Sequence, residues 1–218
     1  MATPLHEPCA LVTGFEPFGG ETINPSWMAA QALHGRVVGG HRIVAACLPT
    51  VFGESLQVLS ALLARHRPAL VIGLGQAGGR TAVSLERVAI NVNDARIPDN
   101  AKAQPVDTEV VEGGPAAYFT TLPVKAMLKA MQEAGVPAEV SQTAGTFVCN
   151  HAFYGLMHAL AKKPPRAGAR GGFIHVPLIP SQGTPALPLE TIVRGLEVAI
   201  AAAAATRHDI VRVGGALN

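Results

Sequence analysis

Cysteine is scarce in this chain: only Cys9, Cys47 and Cys149 occur among 218 residues. An odd, widely spaced set argues against a disulfide framework, and the absence of a C-x-x-C pair removes the usual zinc signature. All three read as free thiols. Charge of one sign is also lacking, with 17 Lys+Arg against 15 Asp+Glu and neither a basic block nor aromatic interleaving. Nucleic acid is therefore not an expected partner. No apolar run reaches the roughly 20 residues that cross a bilayer, and Met1 to Pro8 is too polar for a signal-peptide core. The expectation is a cytoplasmic protein with no membrane partner. Repeats, low-complexity linkers and composition breaks are missing too, so 1–218 is expected to form one domain, with 1–8 a polar extension.

What is present is an Ala/Val/Leu-rich globular composition, 49% hydrophobic and 15% charged, in which strand-like and helix-like segments take turns. Cys9 to Thr13, Arg42 to Cys47, Ala69 to Leu74, Ala138 to Thr143 and Phe173 to Val176 read as strands. Helices are predicted from Asn24-Pro25 to about His34, around Leu56 to Leu63, over Val124 to Met131, from about Cys149 through Leu160, and over Leu189 to Ala205. Between Val83 and Val92 the apolar alternation changes phase near Glu86, and Asp99 to Pro115 reads as an excursion rich in turn formers. The order predicts a three-layer α/β/α sandwich with a mostly parallel central sheet and working loops at the carboxyl ends of the strands.

Cys149 stands where a strand turns into a helix, in Gly145-Thr-Phe-Val-Cys149-Asn-His. Free backbone N–H groups and the helix dipole there favour a thiolate and can steady an oxyanion, although simple packing of a buried thiol fits the position as well. A base is needed beside it. His175, near the carboxyl end of the predicted strand that follows, is the first choice, and a core histidine is its alternative reading. His151 ranks second, because residues two apart on a helix do not share a face. Glu86 interrupts an apolar pattern and would orient the imidazole, with an ion pair to Arg80 or Arg87 as the simpler alternative; Asp94 and Asp99 are runners-up.

Two glycine-bearing segments complete the candidates. Gly73-Leu-Gly75-Gln-Ala-Gly78 satisfies G-x-G-x-x-G after a strand, so a dinucleotide-dependent oxidoreductase is a rival reading. The preferred reading is that these glycines let backbone and Gln76 approach a ligand. Gly14-Phe-Glu-Pro-Phe-Gly-Gly20 carries Phe15 and Phe18 in a loop suited to the wall of a flat ligand, or to anchoring in the core.

Gly14-Phe-Glu-Pro-Phe-Gly-Gly20, Gly75-Gln-Ala-Gly-Gly-Arg80, Glu86-Arg-Val-Ala-Ile-Asn91, Asp94-Ala-Arg-Ile-Pro-Asp99, Ala144-Gly-Thr-Phe-Val-Cys-Asn150 and Phe173-Ile-His-Val-Pro177 together resemble pyroglutamyl peptidase I, the pyrrolidone-carboxylate peptidases, in the right order from about Leu11 to Gln182. The resemblance implies a Cys149, His175 and Glu86 triad. It also implies a lactam pocket lined by Phe15, Phe18 and Phe147, with polar contacts near Asn24 and Gln76. It further implies no metal or cofactor, and a cytosolic homo-oligomer, often a tetramer. The expected reaction is removal of an N-terminal pyroglutamyl residue through a thioester. A lactam-binding protein of the same fold without turnover is the non-enzymatic alternative.

Overall fold

A computed structural model describes residues 8–215, and positions 1–7 of the expected polar extension lie outside the described residues. In chain order the elements are β1 (Cys9–Phe15), α1 (Pro25–Leu33), β2 (Val37–Val38), β3 (His41–Leu48), α2 (Glu54–His66), β4 (Leu70–Gln76), β5 (Val83–Glu86), β6 (Val88–Ile90), β7 (Ala117–Phe119), α3 (Val124–Glu133), β8 (Ala138–Ser141), α4 (Val148–Lys162), β9 (Arg170–Val176) and α5 (Leu189–Ala205). Seven strands form one sheet in the spatial order β2, β3, β1, β4, β9, β5, β8.

Alternation along the strands explains the three layers, since successive side chains point to opposite faces. Ala10, Val12, Leu70, Ile72, Leu74, Ile174 and Val176 enter a core with α1, α3 and α5. Leu11, Val71 and Phe173 enter a second core with α2 and α4. The central strands are buried on both faces and therefore read as continuous apolar runs.

The sheet is mostly parallel, but not throughout. β1 pairs in parallel with β3 and β4, and β4 with β9. β5 reverses against β9 while keeping β8 parallel to itself, and β2 is antiparallel to β3. The reversal has a chemical consequence. It sets Ser84 opposite His175 and Glu86 opposite Phe173, so Glu86 and His175 are diagonal neighbours on one face of an antiparallel pair, within reach of long side chains.

Local signals fix several boundaries. Asn24 Oδ1 accepts from the Ser26 N–H at 3.0 Å and Pro25 opens α1, a cap of the kind that contributes about 1 kcal/mol. The phase change near Glu86 is the break at Arg87 between β5 and β6. The excursion beyond it is ordered by buried amides. Asn91 Oδ1 accepts from the N–H groups of Val110 and Val111, each at 2.9 Å, and Asn93 Nδ2 donates to the Glu109 carbonyl at 3.1 Å. The hairpin partner β7 was not expected from the sequence, because three residues carry too little periodicity to register.

Candidate active site

Cys149 is the second residue of α4, whose first turn has no side-chain cap. Its backbone N–H groups are therefore not claimed by a capping side chain. Opposite it, β4 runs past with no side chain at Gly75. A Cβ built there would stand 2.7 Å from Cys149 Sγ, 2.9 Å from the Phe173 ring and 3.0 Å from His175 Cδ2. Sulfur and imidazole thus converge on the bare backbone of Gly75, and any larger residue would collide with both. Close approach, not turn geometry, is what this glycine serves.

His175 is 4% exposed and Glu86 wholly buried. His175 Nδ1 donates to Glu86 Oε1 at 2.8 Å, which fixes the tautomer and leaves Nε2, which makes no hydrogen bond within the described residues, as the ring's basic nitrogen. Arg80 Nη1 donates to the same Glu86 oxygen at 2.8 Å. Both sequence readings of Glu86, imidazole partner and ion-pair partner, therefore hold together.

Electrostatics overturn one expectation. The helix start was expected to favour the thiolate, yet burial pushes the Cys149 thiol up to about 12, with the Glu86 charge adding and Arg80 opposing. A helix terminus contributes roughly 0.3–1 kcal/mol, at most ~2, whereas burial moves a pKa by up to ~3–5 units at about 1.4 kcal/mol each, so burial wins. His175 is also lowered, chiefly by burial, against the upward pull of its bond to Glu86. Both shifts run toward the uncharged forms, a neutral thiol beside a neutral imidazole. Cys149 itself keeps partial access to solvent, so an incoming group can still reach the sulfur.

The aromatic candidates divide. Phe15 is buried at 2% exposure and packs on Phe173, ring centres 6.3 Å apart. Phe18 and Phe147 are half-buried with centres 5.9 Å apart. Gln76, half-buried at the end of β4, accepts from Gln182 Nε2 at 3.2 Å. Asn24 is occupied by the protein: Oδ1 serves Ser26 N and Oγ, and Nδ2 donates to the Glu16 carbonyl at 3.0 Å. It holds the Phe15 loop against α1. Asp94 is exposed, and Asp99 caps its own turn, accepting from the Ala101 and Ala103 N–H groups.

A profile described as pyroglutamyl peptidase matches residues 9–206. The chain belongs to the pyroglutamyl peptidase family. It is 60% identical to a pyrrolidone-carboxylate peptidase of Cupriavidus taiwanensis over 97% of this chain and 100% of that one. Its fold superposes on the crystal structure of pyroglutamyl peptidase I from Bacillus amyloliquefaciens with a TM-score of 0.92 at 49% identity, covering 95% and 100% of the two chains. A mutant pyrrolidone carboxyl peptidase from Pyrococcus furiosus gives 0.86 at 41% identity, covering 89% and 97%.

Within this pyroglutamyl peptidase fold the dinucleotide reading fails on geometry. Gly73 and Gly75 lie inside β4, and the next element is strand β5, so no helix N-terminus follows to receive a pyrophosphate. A Cβ at Gly73 would meet the Phe173 ring at 2.5 Å, which is why glycine stands there.

Sequence reasoning missed Phe52. Its ring meets Phe147 edge-on at 5.5 Å and His151 at 5.3 Å, making a third half-buried aromatic beside Phe18 and Phe147. Its backbone N–H donates to Asp99 Oδ2 at 2.9 Å, and the next N–H, of Gly53, donates to His151 Nε2 at 2.9 Å. The available signal is Phe52-Gly53 lying between the end of a strand and the start of a helix, a glycine-flanked loop setting like that of Phe15 and Phe18.

Proposed function

We propose that this chain, read over 1–218 as one catalytic domain, is a cysteine exopeptidase that hydrolyses the bond after an N-terminal pyroglutamyl residue. The observation that carries the reading is the convergence of Cys149 Sγ and the His175 ring on Gly75, with His175 Nδ1 held on Glu86 at 2.8 Å. The names of its relatives supply the substrate class. The lactam of pyroglutamate is flat, neutral and without a free α-amine. We assign its apolar contacts to the rings of Phe18 and Phe52, both packed on Phe147, and a polar contact to Gln76 at the end of β4.

Because the pair is neutral at rest, the nucleophile forms as it is used. His175 Nε2 takes the Sγ proton while Sγ adds to the carbonyl carbon that joins pyroglutamate to the next residue. Glu86 stabilises the imidazolium through Nδ1–H, and the N–H groups at the start of α4 steady the oxyanion. The C–N bond then breaks, and Nε2–H passes its proton to the departing amine. Water next loses a proton to Nε2 and adds to the thioester carbonyl. Collapse expels the sulfur, which recovers a proton and frees pyroglutamate. No step needs a metal or cofactor.

The setting we assign is a cytoplasmic homo-oligomer, with a tetramer favoured. That assembly is the one the family resemblance implies. Light scattering coupled to size exclusion tests it, and a monomer at micromolar concentration would refute it.

The deciding assay is hydrolysis of a pyroglutamyl amide before and after iodoacetamide treatment, with modification located by peptide mass spectrometry. Turnover is expected to disappear in proportion to alkylation of Cys149. Pyroglutamate-induced thermal stabilisation without hydrolysis would instead identify a binding protein that lacks turnover.

A further inference from the structure

We propose that Arg80 is a positioning residue that sets the pH range over which His175 can serve as a base, and that it ties this setting to the loop leading into Cys149. The inference rests on the peptidase reading above. Its geometry is a fork. Nη1 donates to Glu86 Oε1 at 2.8 Å, and Nη2 donates to the Thr143 carbonyl at 3.2 Å. Glu86 Oε1 also accepts from His175 Nδ1 at 2.8 Å, while Oε2 has no partner among the described residues. One carboxylate oxygen therefore serves both the fixed cation and the imidazole.

This sharing decides how strongly the imidazole holds a proton. A buried carboxylate beside His175 with no other partner would favour imidazolium strongly, since opposite charges in the interior are poorly screened. Burial is the largest influence on the ring and opposes that pull. Arg80 balances the Glu86 charge from the other side and lowers the proton affinity of His175. The remaining groups near the ring do not do this. Cys149, from α4, is neutral at rest. Glu139, on β8, directs Oε1 to Ser84 Oγ at 2.8 Å, and Arg87 turns away to the Gly214 carbonyl at 3.4 Å.

The second arm of the fork reaches the connection between β8 and α4. The Thr143 carbonyl also accepts from Ser141 Oγ at 3.0 Å, and Thr146 further along donates to the Asp94 carbonyl at 2.7 Å. Arg80 thus connects the Glu86–His175 pair to the segment that delivers the sulfur. With 24% of its side chain exposed, it sits at the edge of the site.

The test is the NMR titration of the His175 ring in a Cys149→Ala background, compared among Arg80, R80Q, R80M and R80K, with His175→Gln used to assign the signal. R80Q and R80M should raise the midpoint by about one pH unit, whereas R80K, which keeps the charge, should leave it within a few tenths. In the enzyme with Cys149 restored, the acid limb of kcat/KM should move upward with R80Q, and R80K should lower kcat without moving the limb because the second arm is lost. Coincident midpoints for Arg80 and both neutral variants would overturn the proposal. Since the titration needs no substrate, it reads Arg80 separately from any failure of pyroglutamyl turnover.

Discussion

Two buried histidines flank the start of α4, and their surroundings differ in ways that separate a working base from a structural clamp. His175 gives Nδ1 to a carboxylate and makes no bond at Nε2 within the described residues. His151 pairs Nδ1 with the neutral amide oxygen of Asn93 at 2.9 Å and accepts the Gly53 N–H at Nε2. Both are lowered by burial, His151 to about 4. For His175 a nearby anion offsets that burial. For His151 nothing does, and both nitrogens are already occupied. A buried imidazole becomes a useful base when one nitrogen is free and the other faces a charge that stabilises the protonated ring.

Making the His175 setting resemble that of His151 should have the largest effect. Glu86→Gln replaces the carboxylate by an amide and should lower kcat by about 10²–10⁴-fold while changing KM little. Steady-state kinetics on a pyroglutamyl amide would show it, and a loss below tenfold would remove Glu86 from the role given to it.

The reverse exchange should not create a base. Asn93→Asp offers His151 a charge but removes the amide that donates to Thr108 Oγ1 and the Glu109 carbonyl. Stability should fall by about 1–3 kcal/mol, read from urea unfolding, with kcat within a few-fold of the parent. Increased turnover would mean that a neighbouring charge alone makes a base of a buried imidazole.

Acid titration separates the two sites by degree. His151 stays neutral in the fold down to about pH 4 but protonates near 6.5 when unfolded. The unfolded chain then binds more protons, so the contribution is complete above pH 6.5 and declines as pH falls toward 4. The loss should be on the order of 3 kcal/mol across that window. Replacing His151 by Gln should flatten this part of the stability profile, as chemical unfolding at stepped pH would reveal. An unchanged slope would mean that His151 is not the group responsible.

Phe52 marks the smallest expected effect. It connects the clamp to the aromatic group, so Phe52→Leu should raise KM a few-fold, about 1 kcal/mol or less, with kcat retained. A kcat effect without a change in KM would place Phe52 outside the pocket.

Much of this arrangement could be read from the chain because it is local. The cap at Asn24-Pro25, the helix over Leu189–Ala205 and the position of Cys149 at a helix start all depend on neighbouring residues. Strand direction does not. An apolar run looks the same either way round, so the reversal of β5, which brings Glu86 diagonally beside His175, had no sequence signature. The ionisation of Cys149 was misjudged for a related reason. The helix terminus is local, whereas the burial that outweighs it involves β4 and β9, each far away in sequence. Phe52 was passed over because its significance lies in ring contacts with Phe147 and His151, made across turns that no periodicity describes.

The most direct measurement is kcat/KM on a pyroglutamyl amide for His175→Gln and His151→Gln, taken side by side at a pH and temperature where both variants are folded. His175→Gln should lose at least ~10²-fold, while His151→Gln stays within about tenfold and shows its loss in stability instead. Equal losses in kcat/KM, or a greater loss for His151→Gln, would contradict the assignment of His175 as the base.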